Sequence, residues 1–230
     1  MTTAAPAATR LRPTDLGKPR MRGVLHEYAF FVALACGAVL VTLAATAAPG
    51  NRTTAVVSCA IYSLTVCGLF GTSALYHRRV WSARGYKLMR RMDHSMIFVF
   101  IAGTYTPFSV LLLSQAKATV MLSIVWTGAL AGVILKMIYP HASRWLSAPL
   151  YIALGWVAVG VLPDMLRHGG DPVFILLVAG GLAYTTGAVF YALRRPNPWP
   201  RTFGHHEFFH ACTLIAAVCH HVAVYFALFR

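Results

Sequence analysis

Residues 28–48 read YAFFVALACGAVLVTLAATAA, a stretch without a single charged side chain. An α-helix needs about 20 predominantly apolar residues to cross ~30 Å of hydrocarbon. Further apolar stretches of similar length follow along the chain. We therefore predict an all-α bundle of seven membrane-spanning helices, at residues 28–48, 55–76, 93–113, 118–138, 146–164, 173–192 and 208–229.

The composition supports a membrane protein. Of the 230 residues, 58% are hydrophobic and 11% are charged, against about 25% charged in soluble domains. The net charge is +14, and the basic residues lie between the apolar stretches. This distribution favours a role of the charges in membrane topology and in binding anionic lipid over a role in binding nucleic acid. All five cysteines lie inside apolar stretches, so no disulfide framework is predicted. We expect a multi-pass cell-membrane protein with membrane lipids as partners.

The chain divides near residue 22. Residues 1–22 are rich in Ala, Pro, Thr and Arg and predict a disordered basic cytoplasmic tail. Residues 23–230 predict the membrane domain. The stretch 28–48 exceeds the ~7–15 apolar residues of a secretory signal, so it is interpreted as a retained first span.

The distribution of Lys and Arg predicts the orientation, because cytoplasmic loops carry an excess of both. With the N-terminus inside and the C-terminus outside, the outer side holds only Arg52, Lys117, Arg167 and Arg230. The inner side holds Arg10, Arg12, Lys18, Arg20, Arg22, Arg78, Arg79, Arg84, Lys87, Arg90, Arg91, Lys136, Arg144, Arg194, Arg195 and Arg201.

Given that orientation, four predicted spans place histidine or carboxylate groups at their cytoplasmic ends. Ionisable groups at membrane depth are costly and therefore suggest function. The polar and ionisable residues at these ends are His26 and Glu27 at span one, Ser73 and His77 at span two, Asp93 and His94 opening span three, and His205, His206, Glu207 and His210 at span seven.

These residues predict a zinc site. His206 and His210 are four apart, hence on one helix face. A catalytic zinc takes three protein ligands and leaves one position open, and His77 would supply the third. Asp93 would orient or deprotonate a water there. Ser73 lies one turn before His77. A single His at a helix end is more often just an interfacial residue.

Other interpretations stay open. Residues 206–210 read HEFFH, the H-E-x-x-H signature of zinc proteases, in which the glutamate is the general base. His26 and Glu27 could support the site, contact headgroups or favour the helix dipole. His220 and His221 lie about 15 Å deeper along the helix than His210 and receive no role.

Several motifs, in order along nearly the whole chain, resemble those of the hemolysin III family, the bacterial branch of the progestin and adiponectin receptor superfamily. They are Arg22-Gly23 with His26, Ser73-Ala74-Leu75-Tyr76-His77, Met92-Asp93-His94-Ser95, Gly103-Thr104-Tyr105-Thr106-Pro107, Tyr191, Arg195-Pro196-Asn197-Pro198, and Phe203-Gly204 before His206-Glu207-Phe208-Phe209-His210. The resemblance implies seven helices and zinc on His77, His206 and His210, with Asp93 and Ser73 beside it. His205 departs from the pattern and leaves its register with His206 ambiguous.

Two functions follow from the resemblance and the site. The first is membrane lipid homeostasis through zinc-dependent hydrolysis of a lipid amide, as in ceramidase-like proteins, with the substrate entering from the inner leaflet. The second is a non-enzymatic sensor or receptor-like protein in which zinc braces the helices. A pore-forming hemolysin and an intramembrane zinc protease are weaker alternatives.

Overall fold

The computed structural model describes residues 18–139 and 142–230, and this part of the chain is helical with no regular β-strand. The predicted disordered tail falls mainly on residues 1–17, outside that range. Residues 18–22 are described, and the N–H groups of Arg20 and Met21 donate to the carbonyls of Arg201 and Thr202. The segment before α1 therefore meets the loop between α7 and α8 at this point.

The helices within the described residues follow one another with short connections. They are α1 (Val24–Thr46), α2 (Arg52–Arg78), α3 (Ala83–Leu112), α4 (Gln115–Ile138), α5 (Arg144–Trp156), α6 (Leu162–Asp164), α7 (Gly170–Leu193) and α8 (His205–Leu228). A 3₁₀ turn at Val157–Val161 joins α5 to α6, and a π turn at Met165–Gly169 joins α6 to α7.

Short polar side chains begin four of these helices. The side chains of Asn51, Ser82, Ser114 and Ser143 each accept a hydrogen bond from a backbone N–H in the first turn of α2, α3, α4 and α5. Such caps satisfy N–H groups that have no partner inside the helix. These four loops therefore each carry the start signal of the helix that follows.

Helix α3 begins at Ala83, about ten residues before the predicted third span at 93–113. The reason is that residues 83–92 are good helix formers such as Ala, Arg, Lys, Leu and Met. Their charges keep them out of an apolar window without preventing helix formation. Asp93 and His94 therefore lie in the third turn of α3 rather than opening it.

The bundle packs around α3, which contacts α2, α4, α5 and α8. One apolar core joins α1, α2, α3 and α8, and a second joins α3, α4 and α5. Large apolar side chains also cover the outer surface; Leu64 is 72% exposed and Ile175 is 60% exposed. An outer surface of this kind suits hydrocarbon rather than water.

Six stretches in the described part of the chain are long and apolar enough to cross a membrane. The predicted fifth and sixth spans fall together within one of them, the 50-residue run Arg144–Leu193. Within that run α5 lies against α7: Ala148 packs with Ala188 and Ala192, and Arg144 Nε donates to the Ala192 carbonyl at 2.7 Å. The run therefore folds back on itself.

The run is broken after α5, and a side chain from another helix completes its hydrogen bonds. The Tyr105 hydroxyl donates to the Gly155 carbonyl at 2.6 Å and accepts from the Ala158 N–H at 2.7 Å. Backbone groups in an apolar environment need such partners. Helix α3 thus holds the break in place.

Candidate metal centre

Three histidines from two distant parts of the chain meet at one end of the bundle. His77 lies in the last turn of α2, and His206 and His210 lie in the first two turns of α8. One ring nitrogen from each can be chosen so that all three lie within 4.8 Å of one another. The Nε2 atoms of His77 and His206 are 3.1 Å apart. The structure therefore brings together the three predicted zinc ligands.

The arrangement fits a zinc ion. Zinc–nitrogen bonds of ~2.0–2.1 Å in a tetrahedral site put two imidazole nitrogens about 3.3 Å apart, close to the spacing of His77 and His206. His210 is buried and His77 and His206 are largely covered. Three imidazoles, with no fourth residue in the group among the described parts of the chain, are the donor set of a catalytic zinc site.

Asp93 and Ser73 lie beside the histidines, as predicted. Asp93 Oδ2 is 4.0 Å from His77 Nε2, and its side chain is 13% exposed. Ser73 is buried one helical turn before His77. Both line the cavity described below. Their catalytic role stays a prediction, since geometry shows only their position.

His26 is the strongest addition to the predicted set. Its ring stacks on the ring of His210, with centroids 3.8 Å apart and planes 9° from parallel. The side chain is 2% exposed, and neither ring nitrogen has a hydrogen-bond partner among the described residues. Its position before span one gave no means of choosing this contact over a headgroup contact.

Gly23 is a residue whose importance sequence reasoning did not explain. It has φ of 79°, and a Cβ built on it would lie 2.6 Å from the Cβ of His77. A larger residue would be strained in backbone conformation and would collide with the histidine. The signal in the sequence was its place beside Arg22 in the Arg22-Gly23 motif.

The two glutamates predicted in the same layer serve as ion-pair partners. Glu207 is 1% exposed, pairs with the Arg22 guanidinium and accepts a hydrogen bond from the Gly204 N–H at 2.8 Å. Glu27 pairs with Arg78 at 2.8 Å on the surface. Neither is among the residues that line the cavity, so Glu207 is not placed as the base of a zinc protease.

The structure also separates His205 from His206. His206 joins His77 and His210, whereas His205 lines a different, basic pocket. The register that the sequence left ambiguous is therefore the one with His206 at the metal centre. His141, which falls between α4 and α5 in the sequence, lies outside the described residues.

A cavity opens from the metal centre into the bundle. It has an empty volume of about 1140 Å³, part of it continuous with the outside. His206, His210, Asp93 and Ser73 line one part, and Leu69, Phe100 and other apolar side chains line most of the rest. An apolar chamber with a few converging polar groups is a typical binding site for an apolar ligand.

His220 marks the deep part of the same cavity. Its Nε2 lies 3.2 Å from the Leu177 carbonyl of α7, which links α8 to α7. His221 instead stacks near Tyr62, with ring centroids 5.7 Å apart. The two neighbouring histidines therefore face different surroundings, and neither belongs to the metal centre.

Comparisons with known proteins identify the family of this chain. A family model described as "Haemolysin-III related" matches residues 14–221. Hemolysin-3 of Bacillus cereus is 32% identical over 152 residues, covering 66% of this chain and 69% of that protein. The Hemolysin-3 homolog of Bacillus subtilis is 32% identical over 162 residues, covering 69% and 71%.

A plant relative extends the likeness beyond bacteria. "Heptahelical transmembrane protein ADIPOR2" of Oryza sativa is 33% identical over 162 residues, covering 62% of this chain and 69% of that protein. Together with the family match and the six membrane-spanning stretches, these relatives establish the family of the chain and its location in a membrane. The chain belongs to the haemolysin-III related family of the progestin and adiponectin receptor superfamily, and it is a multi-pass membrane protein, which in bacteria is a plasma-membrane protein.

Proposed function

We propose that this chain is a zinc-dependent hydrolase of lipid amide bonds, ceramidase-like, that acts in membrane lipid homeostasis. The observation that carries the proposal is that His206 and His210, two of the three grouped histidines, line one part of a largely apolar cavity together with Asp93 and Ser73. Such a cavity would hold an acyl chain and bring its carbonyl group to the polar part.

The proposal includes seven crossings with the N-terminus in the cytoplasm. A continuous helix of 50 residues would be about 75 Å long, more than twice the thickness of ~30 Å of hydrocarbon. The packing of α5 against α7 supports two crossings within that run. The excess of Lys and Arg in the segments at the metal-centre end supports a cytoplasmic site. A rice relative is itself named heptahelical.

The chemistry divides between the metal and the side chains. When bound, zinc would polarise the amide carbonyl and favour ionisation of water near neutral pH. Asp93, whose Oδ2 lies 4.0 Å from His77 Nε2, would accept a proton from the attacking water and pass it to the departing amine nitrogen. The three histidines each bring one ring nitrogen within 4.8 Å of the others. The apolar walls would orient the acyl chain and exclude bulk water around it.

The alternative is a non-enzymatic sensor or receptor-like protein with a structural zinc. One observation favours it: the site joins the end of α2 to the start of α8, 129 residues apart. A metal there would close a long loop and stabilise the bundle. The same geometry therefore also suits a structural zinc site, and only a measurement of substrate turnover distinguishes this function from the hydrolase.

Metal analysis of purified protein in a neutral detergent tests zinc binding, which both proposed functions require. We expect about one zinc per wild-type chain, and far less in His77→Ala, His206→Ala and His210→Ala. His205→Ala is the matched control, because it removes a neighbouring histidine outside the centre. A wild-type protein without stoichiometric zinc after growth and purification with added zinc would contradict both functions.

Turnover of a long-chain ceramide in mixed micelles tests the hydrolase. Loss of a general base lowers a rate by roughly 10²–10⁴-fold, so Asp93→Ala should keep zinc and lose turnover. Asp171→Ala is the control, an exposed acid in the first turn of α7. If the zinc-loaded wild type cleaves no lipid amide while the histidine variants lose thermal stability, the bracing function stands instead.

A further inference from the structure

A second, basic pocket adjoins the metal centre. Four cationic side chains line it, from Arg90, Lys136, Arg144 and Arg194. His94 and Tyr191 line both this pocket and the apolar cavity, so the two spaces share a wall. None of the described residues that line the pocket is acidic. Several positive charges therefore face one space.

Lys136 is the clearest case of a cation in this pocket that has no acidic partner among the described residues. The residue is 2% exposed, its ammonium donates to the Ser147 hydroxyl, and the Tyr151 ring centroid is 5.9 Å away. A hydroxyl and an aromatic face solvate a cation without neutralising it. A buried charge is costly unless it is paired, so an anion in the pocket would complete this site.

Arg144 and Arg194 likewise have no carboxylate partner within the part of the chain that the structure describes. Arg144 donates from Nε to a backbone carbonyl, and Arg194 is exposed at the end of α7. Across residues 18–139 and 142–230, no Asp or Glu forms an ion pair with Lys136, Arg144 or Arg194. Elsewhere at this end of the bundle, Arg22 and Arg78 each have a glutamate. Three cations without an acidic partner among the described residues, Lys136, Arg144 and Arg194, therefore line one pocket.

We propose that the basic pocket binds a phosphate group. Guanidinium groups match the oxygens of phosphate with paired hydrogen bonds, and lysine adds a point charge. A phosphate carries more charge than a carboxylate and uses several cations at once. The start of α5 at Ser143 and Arg144 lines the same pocket, and the N-terminus of a helix adds to the attraction for anions.

Two sources could supply the phosphate. It could belong to the headgroup of a lipid whose chain lies in the apolar cavity, since His94 and Tyr191 line both spaces. It could also be free inorganic phosphate. This binding goes beyond the proposed hydrolase and needs neither zinc nor turnover, so it is tested by affinity alone.

The experiment measures binding to purified full-length protein in a neutral detergent by isothermal titration. The probes are dihexanoyl phosphatidic acid, dihexanoylglycerol and inorganic phosphate. We expect dihexanoyl phosphatidic acid to bind at least tenfold more tightly than dihexanoylglycerol. Arg144→Gln with Arg194→Gln should remove at least that tenfold preference. Arg79→Gln with Arg84→Gln is the matched control, because it removes two exposed arginines from the same end of the bundle outside the pocket.

Each result supports or overturns the proposal. If inorganic phosphate binds as tightly as the lipid and both need the arginine pair, the pocket takes free phosphate. If only the lipid binds, it takes a headgroup. Should the wild type not prefer the phosphate-bearing probe, or should the pocket variant match the control, the proposal is overturned. Arg194→Gln alone, at an exposed position, gives the same reading if the double variant does not fold.

Discussion

The imidazole rings of His26 and His210 lie face to face, with centroids 3.8 Å apart and planes 9° from parallel. The contact joins the start of α1 to a predicted zinc ligand on α8. His26 also meets the edge of Phe70, at 5.0 Å between ring centroids, so it is itself held in place. A ring fixed on both sides restricts the orientation of His210.

The first prediction concerns this stack. Residues that orient a metal ligand typically change affinity by 10–100-fold when removed, so His26→Ala should weaken zinc binding about tenfold. His26→Phe keeps an aromatic ring against His210 and should restore most of the affinity. Competition with a zinc chelator measures both. Equal affinities for His26→Ala and wild type would show that the stack does not orient the ligand.

The second prediction concerns the pair of Arg22, which is 20% exposed, and Glu207, which is 1% exposed. Breaking a fully buried pair costs about 3–5 kcal/mol. Because water still reaches the Arg22 left behind, Glu207→Ala should lower the free energy of unfolding by less, about 2 kcal/mol. The exposed pair of Glu27 and Arg78 is the control, and Glu27→Ala should cost less than about 1 kcal/mol. Chemical unfolding in micelles measures both.

The same glutamate separates the hydrolase from a zinc protease. In an H-E-x-x-H protease the glutamate is the base, and its loss abolishes activity. Because Glu207 pairs with Arg22 and caps the start of α8, folded Glu207→Gln should keep turnover of a lipid amide. Complete loss of turnover in a folded, zinc-loaded Glu207→Gln protein would favour the protease chemistry.

The third prediction concerns the close approach of α2 and α3. A Cβ built on Gly103 would lie 2.1 Å from Thr65 Oγ1 and 2.7 Å from Thr65 Cβ. Overpacking of this kind typically costs about 1–3 kcal/mol, so Gly103→Ala should destabilise the bundle by that amount. Gly181→Ala in α7 is the control, since a Cβ there meets nothing within 4 Å. Thermal unfolding by tryptophan fluorescence compares them.

The fourth prediction concerns the length of the acyl chain. Gly181 lines the cavity and has open space beside it, so Gly181→Leu should fill part of the chamber. If the proposed hydrolase is correct, kcat/KM for a C16 amide should fall about tenfold or more, while that for a C6 amide changes little. Gly160→Leu, outside the cavity, should alter neither. A uniform fall for both chain lengths would argue that the chain lies elsewhere.

The sequence predicts the helices well because apolar length is nearly the only requirement for crossing a bilayer. It predicts the three histidines and Asp93 for a related reason, since each ionisable group at membrane depth stands out against an apolar background. It does not predict the break after α5, because Gly155 and Ala158 are unremarkable and their partner, Tyr105, lies about 50 residues earlier on α3. Nor does it predict the stack of His26 on His210, which depends on how α1 leans against α8.

The basic pocket cannot be predicted from the sequence either, because it also depends on contacts between distant segments. Lys136, Arg144 and Arg194 each count as ordinary loop-end charges in a topology argument. Only packing shows that Lys136 is covered and that the three share a space without an acid. What distinguishes a binding pocket from separate charges at loop ends is that residues far apart in the sequence lie close together in space. The residue types alone do not show this.

The hydroxyl of Tyr105, which completes the broken backbone after α5, also bears on how the chain assembles. Synthesis delivers α3 to the membrane well before the Arg144–Leu193 run emerges. The unsatisfied carbonyl of Gly155 and N–H of Ala158 therefore meet a partner that is already inserted, and they need not wait in hydrocarbon for a later segment. The irregular segment after α5 therefore packs against a helix that is already in the membrane.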